Sequence, residues 1–149
     1  MQKITPFLTF QSQAHEAARF YVSLFEGSRI LETMPGQDGT PLTLTVELAG
    51  QPYVFMNGGP TFQPLTEAVS LSVSCETQAE VDRYWDALTA NGGKEIQCGW
   101  LVDRFGLSWQ IVPRILPELL MGPDRARAGR VMQAMLKMVK LDVATLERA

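Results

Sequence analysis

Two stretches of this chain, residues 3–58 and 68–113, run through the same order of elements: a strand, a helix, then three strands. An internal repeat of this kind constrains the fold more than any single motif. It predicts the α+β class, with two βαβββ modules forming one domain over 1–113 and a helical extension over 114–149. In the first copy, Ile4 to Phe10 reads as a strand with Ile4, Pro6, Leu8 and Phe10 on one face and Thr5, Phe7 and Thr9 on the other. Both faces are substantially apolar, which predicts burial on both sides. A helix follows from Ser12 or Gln13 to about Phe25, with Ala14, Ala17, Ala18, Tyr21, Val22 and Phe25 at helical spacing and Gly27 as its stop.

Arg29 to Thr33, Leu42 to Leu48 and Tyr53 to Met56 read as strands, with Ala49-Gly50-Gln51-Pro52 as a turn. Asn57-Gly58-Gly59-Pro60 reads as a plain loop, because no helix opens after the glycines and no Lys-Ser/Thr follows. In the second copy, Ala68 to Cys75 sets Leu71 and Val73 against Ser70, Ser72 and Ser74. Thr77 with Glu80 makes a capping box, and Val81, Tyr84, Trp85 and Leu88 form the apolar stripe of the helix it opens. Asn91-Gly92-Gly93 ends that helix and Lys94 to Gln97 leads into the last two strands.

Those strands, Cys98 to Val102 and Leu107 to Val112, are joined by Asp103-Arg104-Phe105-Gly106. Asp at the first turn position and Gly at the last predict a type I turn closed by a glycine bulge. The bulge sets the parity of the hairpin. Trp100 and Val102 then share a face with Ser108 and Gln110, while Leu101, Trp109 and Ile111 share the other. The second face is a core; the first mixes an indole, a hydroxyl and an amide, which suits a pocket.

Composition excludes several classes. Hydrophobic content of 46% with 19% charged residues marks a folded globular chain, and no apolar run approaches the roughly 20 residues of a membrane span. The first residues lack the apolar core of a signal peptide, so the expected compartment is the cytoplasm. Cys75 and Cys98 have no metal-type spacing and read as free thiols. His15, the one histidine, stands off the apolar stripe of its helix and reads as a surface residue. The tail is basic, with 7 basic and 4 acidic residues over 114–149 against 6 and 12 before it. No aromatic residue is interleaved with its charges, which argues against nucleic acid. Its apolar face, Ala128, Val131, Met132, Met135, Met138 and Val139, predicts a homodimer interface. Asp142 is placed to cap a last helical turn carrying Val143 and Leu146.

Thr5-Pro6-Phe7-Leu8, Glu16 to Phe25, Asn57-Gly58-Gly59-Pro60, the hairpin Cys98-Gly-Trp to Ser108-Trp-Gln and the tail Met135 to Leu146 together resemble the vicinal oxygen chelate superfamily. Within it they are similar to the PhnB-like, glyoxalase/bleomycin-resistance-like branch, whose members often carry the label demethylubiquinone methyltransferase. The resemblance implies two modules paired into a curved mixed sheet around a shared cup. In the superfamily's metal enzymes, His, Gln or Glu side chains hold a divalent ion in that cup. Carried over to this chain, those positions fall on Pro6, Ser70 and Gln110, which do not make a metal site.

The cup expected for this chain is lined by Pro6, Leu8, Phe10, Met56 and Trp100, with Ser70, Ser72, Ser108 and Gln110 as neutral hydrogen-bonding groups. That composition suits a planar or aromatic small molecule held without metal or other cofactor. An enzyme of the superfamily with lyase, isomerase or transferase chemistry is the alternative. A dimeric interaction protein with a vestigial cup is the third reading. No nucleophile with a positioned base is visible.

Overall fold

In the computed structural model, which describes residues 2–149, the repeated order is present as two compact units, Met1–Leu65 and Thr66–Ala149. The first contains β1 (Phe7–Phe10), α1 (Ala14–Leu24), β2 (Arg29–Pro35), β3 (Pro41–Leu48) and β4 (Gln51–Asn57). The sheet runs β1-β4-β3-β2, with β1 parallel to β4 and the other pairs antiparallel. Alternation along β3 sends Leu44, Val46 and Leu48 to the core, and Leu8, Phe10, Tyr53 and Phe55 join them there. Ala14, Ala17, Ala18 and Tyr21 of α1 cover that face. Tyr21 meets Phe55 edge-on at 5.9 Å, and Phe10 lies 5.1 Å from the same ring.

The first strand departs from the sequence expectation. It is an edge strand covered by a helix on one face only, so Phe7 is 54% exposed and Ile4, outside the strand, is 86% exposed. The turn after β3 is also tighter than expected. Ala49 and Gly50, at φ 46° and 88°, form a two-residue hairpin turn, and Gln51 and Pro52 belong to β4. The Ser28 hydroxyl accepts from the Ala49 amide at 2.9 Å and helps hold the left-handed alanine.

The second unit contains β5 (Ser70–Cys75), α2 (Gln78–Thr89), β6 (Lys94–Glu95), β7 (Trp100–Val102), β8 (Ser108–Pro113), α3 (Ile115–Met121), α4 (Arg125–Leu136) and α5 (Val143–Arg148). Its sheet, β5-β8-β7-β6, repeats the pattern of the first, with β5 parallel to β8. Half of the expected capping box is present: Thr77 Oγ1 accepts from the Glu80 amide, but the Glu80 carboxylate accepts from the Glu76 amide, one residue before the cap. Val81, Trp85 and Leu88 of α2 are buried, as are Leu101, Trp109 and Ile111 of the sheet.

The tail builds onto this unit. Leu116, Val131, Leu141 and Leu146 form a buried cluster, with Val112, Met135 and Met138 packed against it. Cys98 and Gly99 donate their amides to the carbonyls of Met138 and Val139. Gly99 has φ 84°, and a Cβ there would stand 2.9 Å from Leu141 Cδ1, so only glycine fits. This left-handed pair, with Cys98 at φ 59°, delays β7 until Trp100. Asp142 caps α5, accepting from the Thr145 amide at 2.7 Å. Much of the tail's apolar stripe thus turns inward, and Met132, Leu136 and Val139 remain exposed. Among the described residues, no helix is long and apolar enough to cross a membrane.

Candidate functional site

Each sheet has one face under its helix and one face without a helix of its own module; the second is where a ligand could lie. In the second unit that face is set by the hairpin. The Asp103 carbonyl accepts from the Gly106 amide, Gly106 has φ 88°, and Val102 pairs with Ser108, Leu101 with Trp109 and Trp100 with Gln110. The bulge parity read from the sequence is therefore the observed one. Parallel pairing of β5 with β8 adds Ser70 beside Ser108 and Ser72 beside Gln110. Trp100, Val102, Ser70, Ser72, Ser108 and Gln110 share one face. Apart from Lys94, which pairs with Val102 at the sheet edge, it holds no titratable group.

Hydrogen bonding fixes part of this face and leaves one buried hydroxyl unpaired. The Gln110 amide nitrogen donates to Ser70 Oγ at 3.0 Å. Among the described residues, Ser108 Oγ is the buried side-chain polar atom that has no hydrogen-bond partner. Such a group costs about 1–3 kcal/mol unless something pairs with it.

Beneath the turn, Asp103 does what its position in the sequence did not reveal. It is buried; its Oδ1 accepts from the Phe105 and Leu107 amides, and its Oδ2 accepts from the Trp109 indole at 2.8 Å. This locks the hairpin to the core and so fixes which residues face outward.

In the first unit the face away from α1 carries Phe7, Thr9, Thr43, Thr45, Val54 and Met56 by register. Of the residues expected to line a cup, Met56 is there, beside Thr9. Leu8 and Phe10 are not: at 6% and 4% exposure they belong to the core under α1. The expectation picked the wrong parity, because the Ala-rich face of α1 claims the larger apolar set. Pro6 precedes β1, is exposed, and accepts from the Val54 amide through its carbonyl.

Asn57, read from the sequence as the start of a loop, is the last residue of β4 and holds two elements together. Asn57 Oδ1 accepts from the Ala14 amide at 2.8 Å, and its Nδ2 donates to the Pro41 carbonyl at 2.9 Å. It caps α1, where Gln13 provides no side-chain cap, and ties that helix to β3. Gly58 follows because a Cβ there would fall 2.6 Å from Thr9 Cγ2.

The donor chemistry does not fit a divalent metal. Pro6 has no side-chain donor, Ser70 is a neutral hydroxyl already bonded to Gln110, and Gln110 offers one amide oxygen. Among the described residues, no three His, Cys, Asp or Glu side chains gather where an ion could sit. Burial pushes the Cys75 thiol up to about 12, with Glu80 adding to the effect, so it stays protonated and inert.

The sequence matches the family model described as 3-demethylubiquinone-9 3-methyltransferase over residues 2–112. Among solved structures it is similar to the PhnB protein from Bacillus cereus, at 34% identity and TM-score 0.69, covering 75% of this chain and 99% of that one. Protein PA1353 from Pseudomonas aeruginosa matches at 19% identity and TM-score 0.63, over 76% of this chain and 98% of that one. The fosfomycin resistance protein FosX from Listeria monocytogenes shares the fold, at 14% identity and TM-score 0.53, over 76% and 93% of the two chains. Among curated proteins, no sequence matches. With this matched span and the 34% identity to a PhnB protein, the chain belongs to the PhnB-like family described as 3-demethylubiquinone-9 3-methyltransferase.

Proposed function

We propose that this protein is a cytoplasmic binder of a small planar or aromatic molecule, held without metal on the helix-free face of the second unit's sheet. The observation that carries the reading is the unpartnered, buried hydroxyl of Ser108 on the same face as Trp100 and Gln110. A ligand carbonyl would accept from Ser108. Gln110, whose nitrogen is committed to Ser70, would offer its oxygen to a ligand donor. The half-buried indole of Trp100 supplies a flat apolar surface beside them. Cys75 and Cys98 as free thiols suit a reducing compartment.

FosX is described in complex with Mn(II). Metal chemistry of that kind needs a donor set that Pro6, Ser70 and Gln110 do not make. The family description names a methyl transfer, but the faces described above present no general base beyond Lys94 at an edge. Binding is therefore the better-supported reading.

The test is calorimetric and fluorimetric titration with 1,4-naphthoquinone. All three tryptophans lie in the second unit; Trp85 and Trp109 are buried and Trp100 is half-buried. The quench should disappear in Trp100→Phe, and affinity should fall about fivefold in Ser108→Ala. Responses unchanged in both variants would remove this face as the site. Near-stoichiometric metal in untagged protein, lost on Gln110→Ala, would overturn the metal-free part, and turnover of the quinone would make the protein an enzyme.

A further inference from the structure

A second candidate site lies within the first unit, apart from the sheet faces. A cleft of about 870 Å³ opens between the start of α1, the β2–β3 hairpin loop and the end of β4. That volume is in the range of small-molecule sites. Its base is held in place: Asn57 hydrogen-bonds both to α1 and to the first residue of β3. The hairpin loop is fixed as well, with the Gly36 amide donating to the Thr40 carbonyl at 2.7 Å. Both fixed walls mean that a ligand need not order them, which lowers the cost of binding.

The lining is chemically asymmetric. Asp38 supplies its one carboxylate, and neither Lys nor Arg is among the lining residues. Asp38 Oδ1 accepts both the amide and the hydroxyl of Thr40, which leaves Oδ2 for a ligand. These bonds hold the carboxyl below its ordinary range, so it is charged at neutral pH. The same cleft is lined by groups that can hydrogen-bond to neutral hydroxyls: the His15 imidazole and the side chains of Gln37 and Ser12. Pro41 and Leu42 add an apolar strip, and no Phe, Tyr or Trp ring lines the cleft. The first unit as a whole is acidic, with three Lys and Arg against five Asp and Glu over residues 1–65.

A cation with several hydroxyls and an apolar C–H face matches this lining; a flat aromatic or an anion does not. We propose that the cleft binds a hydroxylated primary amine of the aminosugar class, its ammonium on Asp38 and its hydroxyls on His15 and the neighbouring amides. This site is separate from the sheet-face reading, and it stands or falls without it.

The experiment is amide-resolved NMR of the full chain, titrated with D-glucosamine, its β-1,4-linked disaccharide and D-glucose. Glucosamine should shift the amides of Ser12, His15, Asp38 and Thr40 with a Kd on the order of millimolar. Glucose, which lacks the amine, should bind about threefold or more weakly. Asp38→Asn keeps an oxygen for Thr40 and should erase that difference while leaving the spectrum folded. Tighter binding of the disaccharide would assign the site to a chain end, and equal binding to the free sugar; either supports the amine class. Equal response to glucosamine and glucose in the wild type, or no shift at these four amides, would overturn the proposal.

Discussion

The two modules share one topology and secure it differently. In the first, the helix start is held from a distance: Asn57, 43 residues further along the chain, caps α1 and binds β3. In the second, the matching register position is Pro113, which cannot do this; Asn57 pairs with Phe10 as Pro113 pairs with Cys75. The second helix is instead capped locally by Thr77 and then braced by the tail. Gln78 donates to the Leu141 carbonyl at 3.1 Å and accepts from the Val143 amide at 2.8 Å. One strand residue does for the first module what a cap and a 36-residue extension over 114–149 do for the second. A shared fold therefore fixes where a helix must start, not which residue holds it there.

Removing the tail is the strongest way to break this comparison. Deletion of residues 123–149 takes away Val131, Leu141 and Leu146 from the buried cluster and leaves Gln78 without two partners. Each lost core leucine alone is worth about 2–5 kcal/mol. The second unit should lose its cooperative unfolding transition, read by tryptophan fluorescence, because Trp85, Trp100 and Trp109 all lie in it. The homodimer through the tail stays a proposal, resting on exposed Met132, Leu136 and Val139. If deletion left the tryptophan transition intact and halved only the mass by light scattering, the tail would be an interface and not a structural layer.

The caps give the next test. Asn57→Ala removes two hydrogen bonds from partly buried backbone groups and should cost about 2 kcal/mol in urea unfolding. Thr77→Ala removes one local bond at an exposed cap and should cost about 1 kcal/mol. The order matters more than the sizes. Equal losses would mean that Asn57 is a cap like any other, and the contrast between the modules would fail.

The two caps also differ in how far the sequence discloses them. Thr77 and Glu80 sit three residues apart and announce a helix start within one window. Asn57 and Ala14 meet only because β4 lies beside β1 in parallel, which no local pattern encodes. The hairpin parity was legible because Asp103 and Gly106 specify the turn and the turn specifies the register. The parity of β1 was not. Leu8 and Phe10 against Phe7 and Thr9 offer two plausible apolar faces, and the choice belongs to α1. The buried bond from Trp109 to Asp103 was hidden for the same reason, since the turn alone already explains an aspartate there. Local rules locate the elements; long-range partners decide which face of each becomes a site.

The smallest effect concerns the charged end of the tail brace. Lys140 Nζ lies 2.8 Å from Asp82 Oδ1, joining the tail to α2 beside Gln78. The lysine hydrogen bond, followed by that from Gln78, holds the Asp82 carboxyl below its ordinary value, and the same contact raises the Lys140 amine. A lowered carboxyl contributes stability that is complete above its ordinary value and is lost as pH falls through the lowered one. A raised amine contributes stability that is complete below its ordinary value and is lost as pH rises through the raised one. Both contributions are therefore whole at neutral pH and vanish at the two extremes. Both side chains are more than a third exposed, so water and salt screen the pair and its worth is about half a kcal/mol or less. Asp82→Asn should lower the stability of the second unit by that small amount at pH 7 in low salt. The deficit should shrink below the ordinary carboxylate range and also in about 1 M salt, where the screening length falls to about 3 Å. A deficit that persists unchanged in acid and in high salt would mean that Asp82 acts through its hydrogen bond from Gln78 and that charge plays no part in holding the tail.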